Sequence, residues 1–292
     1  MYRALGDAIR DAETRGQKLA QVALEQEAAD QGRTVADIRA ALARALDVMR
    51  SAIGDGMTGD LMSSSGLVGG DAAKLRTGPA GPLADTPFRD ILARALAVQE
   101  VNAAMGVIVA APTAGGAGVL PAVLTGLAKS RSLPDDVVLD GLACAGLIGA
   151  VIAERASLSG AEGGCQAETG AAAGMAAGAA TEMLGGSPSQ AGHAVALTMQ
   201  GMLGLVCDPL GGLVELPCVF RNATGSAIAL AGIEMAMAGI TFAIPVDEVI
   251  DVMGEIGREM DVRYRETAGG GLAATPTGRR LAKERLYQIK RS

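Results

Sequence analysis

Apolar residues recur three and four positions apart along most of this chain, and strict alternation is scarce, so the pattern predicts helix from end to end. Val35, Ile38, Leu42, Leu46, Met49 and Ile53 form one such stripe. Thr34, with Asp37 three residues on, reads as a capping box at its start. Ser187, Pro188 and Gln190 mark a second start, with an N-cap, a proline at the first helical position and a glutamine at the third. That helix is predicted to run to about Gly201 or Gly204. Val246, Val249, Ile250, Met253 and Met260 give another amphipathic segment. The fold class expected is all-α: a single compact domain over residues 1–292, with a charged helical extension over 1–55 and a body over 60–280.

Two stretches break the pattern. Ser63-Ser64-Ser65-Gly66-Leu67-Val68-Gly69-Gly70-Asp71 is a Ser/Gly loop leading into a helix near Ala72. Ala110-Ala111-Pro112-Thr113-Ala114-Gly115-Gly116-Ala117-Gly118 is a second loop between apolar helices. Each is either a flexible connection or a cradle of free backbone N–H groups and hydroxyls suited to a carboxylate or phosphate. Neither fits a Rossmann or P-loop spacing. A Pro/Gly-rich linker is expected at Thr77–Pro82, and the tail beyond Gly269 reads as a solvated basic helix carrying Arg279, Arg280, Lys283, Arg285, Lys290 and Arg291.

Composition sharpens this picture. Hydrophobic residues make up 49% of the 292, yet aromatic ones only 2%, and there is no Trp. The core must therefore be built from Ala, Leu, Val, Ile and 13 Met, and the 41 Gly let helices approach closely. The net charge of −7 argues against nucleic acid, which requires a basic footprint. The first 30 residues are charged throughout and contain no signal-peptide stretch. Ala223–Pro245 is nearly apolar, but Arg221, Asn222 and Glu234 flank or interrupt it, so a buried helix is expected there and not a membrane span. A soluble, cytoplasmic protein follows from these readings.

Cys144, Cys165, Cys207 and Cys218 are the cysteines. In a cytoplasmic chain their roles are metal binding, catalysis or packing. Cys144 lies in the apolar run Leu142–Ala153 and reads as an inert core thiol. The other three each stand beside Gly or Pro, spaced 42 and 11 apart, unlike ferredoxin runs or zinc ribbons. Three thiolates on a cubane cluster would leave one iron open to substrate, as catalytic zinc keeps an open position.

The segments around these cysteines resemble the iron–sulfur-dependent L-serine dehydratases. The motifs that carry the likeness are Ser159-Gly160-Ala161-Glu162-Gly163-Gly164-Cys165-Gln166-Ala167-Glu168, Leu205-Val206-Cys207-Asp208-Pro209, Glu215-Leu216-Pro217-Cys218-Val219-Phe220-Arg221-Asn222 and Tyr264-Arg265-Glu266-Thr267, with both loops. The likeness runs from about Ser63 to Arg280 and is to the alpha chain of the two-chain form. It implies a helical catalytic domain that converts L-serine to pyruvate and ammonia on a [4Fe–4S] cluster bound by Cys165, Cys207 and Cys218. It also implies a beta chain that completes the active site. Ser63, Ser64, Ser65, Thr113 and Asn222 are the expected substrate contacts. Glu162 and Glu168 are candidate catalytic acids or bases, alongside a histidine of the beta chain. His193, the only histidine here, reads as an ordinary helix-face residue. Some single-chain members end in a cysteine that can return to the cluster. This sequence ends Gln288-Ile289-Lys290-Arg291-Ser292, so water or another small molecule is the expected fourth ligand. The alternatives are a related lyase, such as an L-cysteine desulfidase, and a non-enzymatic helical assembly protein.

Overall fold

The helix starts written into the sequence close as hydrogen bonds in the computed structural model, which describes residues 2–79, 81–84 and 86–289. Thr34 Oγ1 accepts from Asp37 N at 3.1 Å while Asp37 Oδ2 accepts from Thr34 N at 3.1 Å. Ser187 and Gln190 make the same reciprocal pair. Thirteen α-helices follow one another among the described residues, with no strand. They are α1 (Leu5–Arg15), α2 (Leu19–Gln31), α3 (Val35–Gly56), α4 (Asp71–Thr77), α5 (Pro87–Ala103), α6 (Val119–Arg131) and α7 (Asp135–Arg155). Then come α8 (Gly160–Gly163), α9 (Ala171–Met183), α10 (Pro188–Met199), α11 (Cys218–Met237), α12 (Val246–Glu259) and α13 (Pro276–Ile289).

Helix α9 is the axis of the molecule. All 13 of its residues are buried, and it packs against α6, α7, α10 and α11. A helix enclosed on every side has room only for small side chains, which explains its sequence of Ala and Gly broken by Met, Thr and Glu. A Cβ on Gly178 would lie 2.5 Å from Ile148 Cδ1 and 2.8 Å from Val195 Cγ2, so the glycine lets α7 and α10 close onto the axis. The tight helical body expected from composition is what forms.

Details differ from the sequence pattern where neighbours intervene. In the α3 stripe Ile38, Leu46, Met49 and Ile53 are buried, but Val35, in the first turn, is 37% exposed. Helix α10 stops at Met199 and tightens into a 3-10 turn over Gln200–Met202. The apolar stretch expected as one buried helix begins earlier, at Cys218, and ends at Met237; it buries only one face of α11. Among the described residues, the helix long and apolar enough to cross a membrane is instead α7, two-thirds of whose most apolar stretch is buried within the protein. The basic helix α13 leaves Arg279, Arg280, Lys283 and Arg285 exposed, but Leu281 and Ala282 face Leu210 and Leu213; Lys290 and Arg291 lie outside the described residues. Residues of α1, α2 and α3 share one core with α7, α9 and α10.

Candidate active site

Cys165 follows Gly164, whose φ of 75° and tight surroundings exclude a side chain: a Cβ there would stand 2.7 Å from Met260 Sδ and 2.9 Å from the Leu205 carbonyl. The next five residues, Gln166–Gly170, form a π-helical turn, a distortion that recurs at functional sites. Gln166 is fully buried and ties this turn to two elements. Its Nε2 donates to Met253 O at 3.1 Å, and its Oε1 accepts from Gly204 N at 2.9 Å. The Cys165 Sγ lies 3.1 Å from Thr169 Oγ1.

Cys207 sits in extended backbone that pairs with the Tyr264–Glu266 segment. Its N donates to Tyr264 O at 2.8 Å, and its O accepts from Glu266 N at 2.9 Å. Asp208, 2% exposed, anchors the corner: Oδ2 accepts from Leu272 N at 2.6 Å, and Oδ1 pairs with Arg221 Nη2 at 2.8 Å. Arg221 Nη1 also donates to Val206 O at 2.8 Å. Cys218 is the first residue of α11. Three cysteines distant in sequence thus converge, and all are free and buried.

Their electrostatics record the convergence. Burial pushes the Cys207 thiol well up, and the neighbouring Cys165, Glu168, Cys218 and Glu266 add to it. The Cys218 thiol is pushed up to about 12 by burial, then by Cys165 and Glu168, against the pull of Arg221. Burial raises Cys165 too, opposed by the Thr169 hydroxyl and Arg221. Arg221 is therefore the cation closest to this group of thiols in effect. Cys144, wholly buried in α7, stands apart in the core.

Glu168 leans over the cysteines from the π-turn. It is 9% exposed, its Oε1 accepts from Thr113 Oγ1 at 2.8 Å, and its Oε2 lies 3.9 Å from Cys207 Sγ. Burial raises its pKa, with Glu266 acting in the same direction and the Thr113 hydroxyl opposing. Glu162 is exposed and turned elsewhere, accepting from Ser157 Oγ at 2.6 Å. His193 accepts from Phe242 N at 3.3 Å on the flank of α10.

The two loops are braced from beneath. Asn222, fully buried, donates from Nδ2 to Gly115 O at 2.7 Å and Cys218 O at 2.9 Å, while its Oδ1 accepts from Gly118 N at 2.9 Å. Gln99 donates to Ala114 O at 2.8 Å. The amide of Asn222 is thus committed to holding the Thr113 loop against Cys218. In the serine loop, Ser63 Oγ accepts from Val68 N at 3.2 Å, and Ser65 Oγ donates to the buried Glu215 carboxylate. Ser64 is exposed, and its hydroxyl has no partner among the described residues.

Arg221 and Glu266 stand inside the sequence motifs, but the motifs by themselves assign neither a role at the site. Their signal was there, a charged residue beside a cysteine motif, but the pairing of residues 207 and 265 was needed to bring Glu266 in. Glu215 opens the motif that contains Cys218, whereas Gln99 carries no local signal. No group of three or more His, Cys, Asp and Glu among the described residues is arranged to hold a metal ion. The donors that gather are soft thiols, which suit iron–sulfur or similar soft chemistry far better than a hard cation.

An all-helical body thus brings together three free thiols, a buried acid and a braced glycine-rich loop. Residues 14–273 match the family model of the serine dehydratase alpha chain. The chain is 47% identical to the probable L-serine dehydratase alpha chain of Bacillus subtilis (strain 168), over 97% of this chain and 95% of that one. It is 41% identical to the L-serine dehydratase alpha chain of Peptoniphilus asaccharolyticus, over 94% of each. It also matches the L-serine dehydratase of Streptomyces coelicolor at 41%, covering 93% of this chain and 60% of that longer one. The chain belongs to the serine dehydratase alpha chain family.

Proposed function

We propose that this chain, with a beta partner in the cytoplasm, converts L-serine to pyruvate and ammonia at a [4Fe–4S] cluster held by Cys165, Cys207 and Cys218. The observation that carries this reading is the convergence of three free, buried thiols beside Glu168 in a member of this family. Each thiolate of a cubane ligates its own iron, so the thiols need not crowd around one ion. When bound, the cluster supplies an open iron as Lewis acid toward the serine hydroxyl.

The chain's own residues do the rest. Arg221 offsets the negative charge that three thiolates bring into a buried place. Glu168, its pKa raised by burial and its carboxyl fixed by Thr113, is placed to pass a proton to a departing hydroxyl. Ser64 and the backbone of the serine loop face substrate, while Ser63, Ser65 and Asn222 hold the loops in shape. Loss of water from serine leaves aminoacrylate, which tautomerises to an imine and takes up water to give pyruvate and ammonia. The Cα proton goes to a base, for which a histidine of the beta chain is the leading candidate. Exposed Met62, Met105 and Val107 lie beside the serine loop, where Ser64 N donates to Ala103 O, and form the face on which that chain would sit.

Anaerobic reconstitution with iron and sulfide, with and without the beta chain, tests the proposal. About four iron and four sulfide per chain are expected, with visible absorption that air bleaches. Pyruvate should form faster from L-serine than from L-cysteine. A Cys207→Ala variant that keeps both cluster and activity would sink the assignment.

A further inference from the structure

Beside the Cys165 segment lies a cavity of about 350 Å³ between α8 and α12. Ala167 lines it from the π-turn, and Gly257 lines it from α12. Two guanidiniums, Arg258 and Arg265, open into the same space, and neither makes a side-chain hydrogen bond or ion pair among the described residues. The Arg265 Nε is shielded from solvent and has no acceptor, so no group of the chain satisfies that N–H. Glu162, which accepts from Ser157 Oγ at 2.6 Å, lines the same cavity.

We infer that this cavity binds a small organic monocarboxylate. Guanidinium forks match a carboxylate in geometry and charge. Two cations and one carboxylate leave a single net positive charge, which one negative charge balances. Glu162 disfavours a dianion such as phosphate, and the alanine and glycine floor favours a carbon-bearing ligand over a bare halide. The site differs from the substrate site because none of Cys165, Glu168, Cys207 and Cys218 lines it. Its occupant would nonetheless join that segment to Arg265, whose backbone bridges Cys207. Pyruvate belongs to the ligand class. The inference rests on the cavity's own groups and does not depend on the proposed reaction.

Calorimetric titration of the full chain with pyruvate, at fixed ionic strength and with phosphate and chloride as competitors, tests it without any measurement of turnover. Saturable pyruvate binding is expected, with phosphate weaker. Arg258→Gln, at an exposed position that folding tolerates, should weaken pyruvate binding at least about tenfold, as loss of a charge-assisted hydrogen bond predicts. Glu162→Gln should strengthen phosphate binding. The inference is overturned by absence of saturable binding, by unchanged affinity in Arg258→Gln, or by phosphate binding as tightly as pyruvate to the unaltered chain. Far-ultraviolet circular dichroism confirms the fold of each variant.

Discussion

A methyl group at residue 160 would stand 2.6 Å from Glu168 Oε2 and 3.1 Å from Cys207 Sγ. Glycine there is not a helix preference, since alanine is the better helix former, but a requirement for room between an acid and a thiol. Gly115 does the same from the opposite loop, where a Cβ would come within 2.8 Å of the Glu168 carboxylate. Gly160→Ala is expected to displace the carboxylate and lower turnover by about 10²-fold, the scale of a misplacement near 1 Å. Iron content should fall with it, while the thermal midpoint changes little; kinetics with iron analysis on the reconstituted variant checks this. The glycine-rich motif before Cys165 was legible in the sequence. That its glycines make space for Glu168 was not, because Glu168 arrives from a π-turn and Gly115 from a loop some 50 residues away.

Helix starts show the same division. Thr34 and Ser187 cap their own helices and could be read directly. Helices α1, α2 and α4 begin after Ala4, Lys18 and Gly70, none of which caps through its side chain. A carboxylate from a distant helix replaces the missing cap in each case. Asp247 accepts from Leu5 N at 2.7 Å and Gly6 N at 3.0 Å, and Glu182 from Leu19 N at 2.5 Å and Ala20 N at 2.9 Å. Glu100 accepts from Gly70, Asp71 and Ala72 N at 2.7–3.1 Å. Such an acceptor satisfies orphan N–H groups and meets the positive end of the helix. Burial outweighs these bonds at Glu182 and raises its pKa above 4.5 in the fold. The folded state therefore holds its proton where the unfolded state has lost it. The contribution of Glu182 is full below pH 4.5 and is lost as pH rises through the folded pKa, by up to about 1.4 kcal/mol per pH unit. Glu182→Gln should lack this decline. Urea denaturation of both proteins across pH 4–7 tests it through the difference between the two stability curves, and parallel curves would contradict it.

Across the whole molecule, close approach of helix backbones replaces large side chains as the means of filling the interior. With three Phe, three Tyr and no Trp, the core is dense in contacts between small groups. The junction of α3 with α5 shows how little slack remains: a Cβ on Gly56 would fall 2.1 Å from the Ala97 carbonyl oxygen. Backbone cannot rotate away as a side chain can, so Gly56→Ala must separate the two helices. A loss of about 1–3 kcal/mol is expected in equilibrium unfolding, the usual cost of overpacking. Helix α5 also carries Gln99 and Glu100, which brace the two loops of the site. The same variant should therefore weaken substrate binding more than its distance from the cysteines suggests.

By itself the sequence determined the all-helical class, the capped starts of α3 and α10, the small-residue core, the inert place of Cys144 and the three cysteine motifs. These depend on periodicity, local hydrogen bonding and short motifs, all of which act within a few residues. Tertiary structure alone decided which of the candidate groups meet. It brought Glu168 onto Thr113 and beside Cys207, turned Glu162 away, committed Asn222 to the loop, and drew Glu266 in through the backbone pairing at Cys207. The physical reason is direction: a side chain's neighbours depend on how its helix is rotated and packed, and that follows from contacts between segments 50 to 150 residues apart.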